Sequence, residues 1–417
     1  MRSPFKSPLT LYVLWHPDYS DGASIANKLF NVFSRNVDDT FARTPGIPVY
    51  FRSFPVAADS ALPRAIPFDD ADHSAIIVLV DDNMVVSDEW RAYVTGLDQA
   101  ASSSAGKIRL FPVAVNFNSF NFPVADTNFI RLFEVKERPP ASVAAAASNP
   151  TFAERQATFL IGKLVHELSR LLYHVPRVTA EGTVQSAPPI RMFISHAKAD
   201  GANVAAAIRD HIADTSLKSF FDANDIAVGY RFSSELLSAL EESAIICVQT
   251  DYYATREWCL WEVINAKRLD RPVVVVNAVS NREPRSFPYL GNVPTIRWKF
   301  ELAENSEQIQ DVLDLTLFEV LGTRFRELFQ RELIRTFELP ENTEVVGHSP
   351  ELFTVLKMAS KARQTARTPE NPLYVVYPDP PLGDEELRLL EDLAPNIHFV
   401  TPTMLPLVQH WIKNHST

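Results

Sequence analysis

The chain has 417 residues, and at about 150 residues per domain this length corresponds to roughly three domains. Its 40 Lys+Arg against 51 Asp+Glu leave a net charge of −11, which argues against nucleic acid or an anionic membrane as the main partner. No apolar run approaches the length of a membrane span, the first residues lack the apolar core of a signal peptide, and two cysteines cannot form a disulfide framework or a four-cysteine zinc site. We therefore expect a soluble, cytoplasmic protein with no membrane or nucleic-acid partner and no metal site.

Two segments have the composition of joints between domains. Residues 139–150 combine prolines with small residues, and residues 176–189 hold prolines and small polar residues typical of a linker. Apolar residues at three- and four-residue spacing predict an amphipathic helix over 152–172 and a second long helix over 306–337. The predicted organisation is a first domain over 1–175, a linker over 176–189, a second domain over 190–338 and a small C-terminal α/β module over 339–417.

An internal duplication relates the first two domains. Four matches occur in the same order in both: Asp21–Ala26 with Asp200–Ala205, Ser74–Ile77 with Ser243–Ile246, Glu89-Trp90 with Glu257-Trp258, and Ile130-Arg131 with Ile296-Arg297. Their offsets of 179, 169, 168 and 166 residues drift slowly, as small loop changes after a duplication would produce. The pattern indicates two copies of one unit of about 130 residues.

Each copy alternates apolar runs with helical patterns. In the second copy strands are predicted over 190–195, 219–222, 244–249 and 273–276, and helices over 202–212 and 234–242; in the C-terminal module strands are predicted over 373–377 and 398–400 and a helix over 384–393. Continuous apolar runs are typical of strands buried on both faces of a parallel sheet, and their alternation with helices implies βαβ crossovers. We predict an α/β fold with two doubly wound, mainly parallel, flavodoxin-like sheets in tandem. Ligands of such sheets bind beyond the carboxyl ends of the strands.

Three motifs of the second copy fall on loops at those ends. A strand ends in Phe193-Ile194-Ser195-His196, a loop leaves the next strand over 222–232, and a helix opens with Arg256-Glu257-Trp258-Cys259-Leu260-Trp261-Glu262. On that helix Trp258 and Glu262 are four residues apart and lie on one face. An aromatic ring beside a carboxylate suits a ligand with a flat ring and a developing positive charge.

The order and spacing of these motifs resemble those of a Toll/interleukin receptor (TIR) domain, and Trp-Cys-Leu-Trp-Glu resembles the Trp-Cys-x-x-Glu of plant TIR domains. The resemblance covers residues 190 to about 300 and extends more weakly, through the duplication, to residues 9–135. It does not reach 340–417. It implies a TIR domain with a long C-terminal helix over 190–338 and a degenerate TIR-like domain over 1–175.

The TIR family includes enzymes that cleave NAD between nicotinamide and ribose, and adaptors that only assemble. In the enzymes the glutamate four residues after the tryptophan is catalytic, and here that residue is Glu262. Nicotinamide leaves a cationic pyridinium as a neutral ring, so one carboxylate that stabilises oxocarbenium-like charge is enough, without the paired acid of ordinary glycosidases. The resemblance also implies that Phe232 and Trp258 flank the nicotinamide and that Ser195 and His196 line the pocket floor. Asp222 would close over the dinucleotide or meet a neighbouring TIR domain.

The first copy lacks the key group. Four residues beyond Trp90 stands Val94 rather than a carboxylate, and Trp15 replaces the serine that aligns with Ser195. We expect this copy to recognise or dock something without cleaving it.

The expected function is an NAD glycohydrolase that uses NAD as substrate, needs no cofactor, and releases nicotinamide with ADP-ribose or a cyclic product. The resemblance to bacterial members implies innate immune, antiviral defence, self-association through TIR domains, and activation by assembly, a partner protein or a bound ligand. Two alternatives remain open: a non-catalytic TIR scaffold, in which both copies serve protein contacts, and a nucleotide-sensing module without turnover.

Overall fold

The computed structural model of the protein describes residues 5–34, 44–55, 62–124, 127–135, 152–173, 177–178, 184–185, 190–214, 220–221, 237, 240–241, 243–282, 287, 289–300 and 306–415. The chain divides into two units, Met1–Ala187 and Pro188–Thr417. The predicted loop over 222–232 and most of the predicted helix over 234–242 lie outside the described residues.

The first unit contains a five-stranded parallel sheet. Its strands are β1 (Thr10–Trp15), β2 (Val49–Arg52), β3 (Ser74–Val80), β4 (Ile108–Ala114) and β5 (Ile130–Arg131), in the order β2-β1-β3-β4-β5. The helices are α1 (Gly22–Phe33), α2 (Asp82–Val86), α3 (Asp88–Ser103) and α4 (Phe152–Tyr173), and a short antiparallel pair follows, β6 (Arg177–Val178) with β7 (Val184–Gln185). Every residue of β1 and β3 is buried, as their continuous apolar runs predict for central strands with both faces covered.

The second unit contains a sheet of the same design. Its strands are β8 (Arg191–His196), β9 (Phe220–Phe221), β10 (Ser243–Gln249), β11 (Val273–Asn277) and β12 (Thr295–Arg297), all parallel, in the order β12-β11-β10-β8-β9. The helices are α5 (Ala202–Asp214), α6 (Glu257–Arg268) and α7 (Ser306–Phe337). When the strands of each sheet are numbered 1 to 5 along the chain, both sheets have the strand order 2-1-3-4-5. This order is that of one common class of doubly wound sheets.

Strand register corrects one detail of the sequence alignment between the first and second units. Ser74 begins β3 and Ser243 begins β10. Leu14 of β1 pairs with Val78, four residues after Ser74, and Ser195 of β8 pairs with Cys247, four residues after Ser243. Leu14 therefore occupies the place of Ser195, and Trp15 the place of the residue after it. The alignment of Trp15 with the serine is wrong because the loop between strand and helix differs in length between the copies.

The C-terminal residues form a third, smaller parallel sheet within the second unit. Its strands β13 (Thr343–Val345), β14 (Leu373–Val376) and β15 (Ile397–Val400) lie in that order, with helices α8 (Leu352–Gln364), α9 (Asp384–Leu393) and α10 (Leu405–His415). The long helix α7 contacts β10 and β11 and, further along, β13 and α10. It thus belongs to the cores of both sheets of this unit. Among the described helices, none combines the length and apolar character needed to cross a membrane.

Candidate functional site

A buried polar cluster lies at the carboxyl end of β8. Ser195 Oγ is 2.5 Å from Oε2 of Glu262 on α6 and 2.7 Å from the hydroxyl of Tyr253, which follows β10. The exposed fractions of Ser195, Glu262 and Tyr253 are 1%, 7% and 0%. The Ser195 hydroxyl donates to Glu262, and because serine carries a single hydroxyl proton, Tyr253 donates to Ser195.

The local sequence explains why α6 brings its glutamate to this place. Cys259, Val263 and Ala266 recur at helical spacing and are buried against the sheet, so α6 presents one face to β8 and β10. Glu262 lies beside that apolar stripe, in the second turn. Side chains alternate along a strand, and Ser195 therefore shares the α6 face of β8 with the core residue Phe193.

Two thiols adjoin the cluster and stay protonated. Burial raises the pKa of Cys247 to about 12, and Cys247 contacts Tyr253. Burial also raises the pKa of Cys259 to about 12, with the nearby Glu262 charge acting in the same direction. Since the thiolate is the nucleophilic form of cysteine, neither residue is poised as a nucleophile.

The structure places the predicted site residues in different positions. Trp258 lies one helical turn before Glu262, is 52% exposed, and packs edge-to-face on Trp261 at 5.8 Å between ring centroids. His196 ends β8 and, by strand alternation, faces away from Ser195; its Nδ1 lies 3.4 Å from the carbonyl oxygen of Ile194. Asp222 and Phe232 lie outside the described residues. The structure thus brings Ser195, Glu262 and the helix face of Trp258 together, and it leaves His196 on the other side of the sheet.

Sequence reasoning missed two residues that shape the site. Tyr253 carries no motif signal, because a tyrosine after a strand is compatible with many roles. Asp200 stands in the duplicated Asp-Gly-Ala segment, and its carboxylate accepts hydrogen bonds from Thr250 Oγ1 at 2.7 Å and from the backbone N–H of Tyr252 at 3.1 Å. Asp200 therefore ties the loop after β8 to the loop that carries Tyr253.

A second carboxylate ties the loops after β10 and β11 together. Asp251 accepts hydrogen bonds from the backbone N–H and hydroxyl of Ser280, at 2.9 and 3.0 Å, and from the backbone and side chain of Asn281. The loops at the carboxyl edge are therefore held by side-chain contacts to one another as well as by their strands.

The first unit has apolar residues at all three positions of the cluster. Leu14 stands at the place of Ser195 by register. Met84 corresponds to Tyr253, because each lies ten residues after the serine that begins the third strand of its sheet. Val94 corresponds to Glu262, because each lies four residues after a tryptophan. Leu14, Met84, Trp90 and Val94 are buried in a single hydrophobic cluster. The three matching positions of the first unit therefore hold buried apolar side chains.

Comparison with known proteins identifies the family of one part of the chain. Residues 192–313 match the family model described as "TIR domain", so the chain contains a TIR domain there, and Ser195, Tyr253, Trp258 and Glu262 all lie within it. No curated protein matches the chain. Within the described residues, no group of three or more His, Cys, Asp or Glu side chains is arranged to hold a metal ion.

Solved structures add no functional information. A protein from Salmonella typhimurium LT2 described as "Putative sugar binding protein" is 12% identical, covering 58% of this chain and 87% of that one. A protein from Clostridium novyi NT described as a "putative tagatose-6-phosphate ketose/aldose isomerase" is 11% identical, covering 78% and 80%. Both have a TM-score of 0.19.

Proposed function

We propose that the TIR domain cleaves NAD between nicotinamide and ribose, with Glu262 as the catalytic carboxylate. The observation that carries the proposal is the place of Glu262. Its carboxylate is held by Ser195 at the carboxyl edge of a doubly wound sheet, one turn from the half-exposed indole of Trp258. That edge is where such sheets bind ligands.

The chemistry asks little more of the protein than a placed negative charge and an aromatic surface. As the bond between C1′ and the pyridinium nitrogen breaks, its electron pair moves to the ring, and nicotinamide leaves as a neutral molecule. Positive charge then develops on the ribose, where the Glu262 carboxylate stabilises it, and a charge acts more strongly in a buried site than in water. Water adds to C1′ and loses a proton to give ADP-ribose, or a nitrogen of the adenine adds instead to give a cyclic product. The Trp258 indole offers the cationic pyridinium of the substrate a π face.

The test compares nicotinamide release, measured by chromatography, for wild type, Glu262→Gln and Glu262→Ala. Glu257→Gln is the matched control, because Glu257 is exposed on the same helix. Each protein is assayed over a thousand-fold range of concentration and as a fusion to an inducible oligomerisation domain, since the proposal includes activation by assembly. We expect both Glu262 variants to lose about 100-fold or more in rate and the Glu257 variant to keep it. Equal rates for wild type and Glu262→Gln would contradict the assignment.

One observation favours a second candidate function, a non-catalytic TIR scaffold. Glu262 is 7% exposed and already hydrogen-bonded, as a carboxylate with a purely structural role would be. A scaffold would release no nicotinamide in any arm of the test, while sedimentation would still show self-association that depends on protein concentration.

We propose further that residues 1–175 are a degenerate TIR-like domain that docks a partner or ligand without cleaving it. Its sheet has the same strand order as that of the TIR domain, and its counterpart of the site is filled with apolar side chains. In line with the bacterial proteins that the TIR domain resembles, the proposed setting is antiviral defence, with activity held back until assembly or a signal releases it.

A further inference from the structure

We propose that Tyr253 is a positioning residue for Glu262, acting through Ser195. The Tyr253 hydroxyl fixes the orientation of the Ser195 hydroxyl, and that hydroxyl holds the carboxylate in place. This inference rests on the proposed NAD cleavage and names a residue that the motif does not.

The Tyr253 side chain is itself held firmly. It is completely buried, its ring packs on Phe287 at 5.2 Å between centroids, and its backbone N–H donates to the Thr250 carbonyl at 3.1 Å. Asp200 anchors the same loop through the side chain of Thr250. The hydroxyl is therefore presented from a fixed point rather than from a mobile side chain.

The hydrogen-bond chain has one direction. A serine hydroxyl rotates among staggered positions unless its partners select one. The 2.7 Å contact from Tyr253 occupies a lone pair of Ser195, and the 2.5 Å contact then directs the serine proton at Glu262 Oε2. Burial, reinforced by the neighbouring thiols and Glu262, raises the pKa of Tyr253 well above its ordinary value, so this hydroxyl remains a donor throughout the neutral range. Consecutive hydrogen bonds in a buried site also strengthen one another.

The first unit provides an internal comparison. The places of Ser195, Tyr253 and Glu262 are taken there by Leu14, Met84 and Val94, so all three polar groups are absent together. A buried hydroxyl without its partner costs about 1–3 kcal/mol, which explains why the set is present or absent as a whole.

The test measures kcat and KM for NAD in the full chain. Tyr253→Phe removes only the hydroxyl, and we expect kcat to fall about 10-fold, as for loss of one buried hydrogen bond, with KM within about twofold of wild type. Ser195→Ala should lose at least as much, whereas Ser195→Thr keeps the hydroxyl and should retain most of the activity. The double variant Ser195→Ala/Tyr253→Phe should be no slower than Ser195→Ala alone, because the effect of Tyr253 passes through Ser195. Tyr252→Phe is the control, since Tyr252 is adjacent and about half exposed.

Thermal melting of every variant separates positioning from folding. If Tyr253→Phe is too unstable to assay, Ser195→Ala and Ser195→Thr test the same series of hydrogen bonds at its central residue. Equal activities of these two variants would overturn the inference. Unchanged kcat in Tyr253→Phe, or losses that add fully in the double variant, would overturn it while leaving NAD cleavage by Glu262 intact. No nicotinamide release by wild type, in any arm that includes forced oligomerisation, would overturn the inference and the proposed function together.

Discussion

Substituting Val94 with glutamate would place a carboxylate in the first unit where the second unit has Glu262. Val94 is fully buried in a cluster that includes Leu14, Met84 and Trp90, and the place of the Ser195 hydroxyl is taken there by the apolar side chain of Leu14. The first unit therefore lacks the hydrogen bond that the glutamate of the second unit receives from Ser195. We expect Val94→Glu to destabilise the first unit and to create no activity.

The magnitude follows from two costs. Removing the valine forfeits about 1.5–3 kcal/mol of apolar burial, and burying a carboxyl group without partners, even in its protonated form, costs about 1–3 kcal/mol more. The total of about 2.5–6 kcal/mol is a large part of the roughly 5–15 kcal/mol that stabilises a typical domain.

Hydrogen exchange followed by mass spectrometry on the full chain measures the destabilisation of the first unit separately from the second. Amides of β3 should exchange faster in Val94→Glu, whereas amides of β10 in the second unit report any effect outside the first. Ala92→Glu is the matched control, because Ala92 is exposed on the same helix, and it should leave β3 protected. NAD cleavage is assayed in a Glu262→Ala background. Unchanged protection of β3, or restored release of nicotinamide, would refute the view that the three positions function only as a set.

Two further predictions concern stability. Burial opposes protonation of His348, but its contacts with Asp270 and with the Ser349 carbonyl raise its pKa overall. Protonated His348 therefore stabilises the folded protein. This stabilisation is complete below the ordinary histidine pKa near 6.5 and is lost as the pH rises through the raised pKa of the folded state. Thermal melting of the second unit between pH 6 and 9 should show this loss in wild type and not in His348→Gln, and identical pH dependence in both would contradict the assignment. Gly22→Ala should destabilise the first unit by about 1–3 kcal/mol, since a Cβ there would lie 2.6 Å from Cγ of the buried Trp15 indole. Gly96→Ala, on α3 with no atom within 4 Å of its Cβ position, should stabilise it by about 0.5–1 kcal/mol, and denaturation that showed the same sign for both would count against this reasoning.

Long periodic segments were the most predictable part of the fold. The helix predicted over 152–172 is Phe152–Tyr173, and the one predicted over 306–337 has those bounds, because over twenty or more residues only one period fits the apolar positions. The first strand of the C-terminal sheet, Thr343–Val345, was not predicted. Three half-buried residues carry too little pattern, and that strand is defined by its pairing with β14.

The site was predictable only where its chemistry is local in sequence. Trp258 and Glu262 share one helix, and their spacing alone places them on one face. Tyr253 reaches Ser195 across 58 positions of sequence, so no local pattern could reveal their contact. His196 follows Ser195 directly on the same strand, and alternation along a strand puts the two neighbouring side chains on opposite faces of the sheet.

The C-terminal module packs directly against α6, the helix that carries Glu262. The end of α6 is held by Lys267, whose Nζ is 2.7 Å from Glu351, and just beyond it Asp270 contacts Lys357 and His348. The long helix α7 also contacts both sheets of this unit. Its residue Gln330 is 1% exposed, and its side-chain amide lies 2.7 and 3.2 Å from the carbonyl oxygens of Val346 and Val376.

A helix of 12 residues is a rigid rod about 18 Å long, so a shift imposed on one end of α6 is carried to the other. The beginning of α6 bears Trp258 and Glu262, and its end rests on charged groups of the C-terminal module. Removing residues 339–417 would take away Glu351 and Lys357 and leave Lys267 and Asp270 without these partners, which alters the support of the helix that positions Glu262. A fragment cut at residue 338 is for that reason not equivalent to the TIR domain as it exists in this chain, and a silent fragment would say nothing about Glu262 that an assay of the full chain could not say more directly.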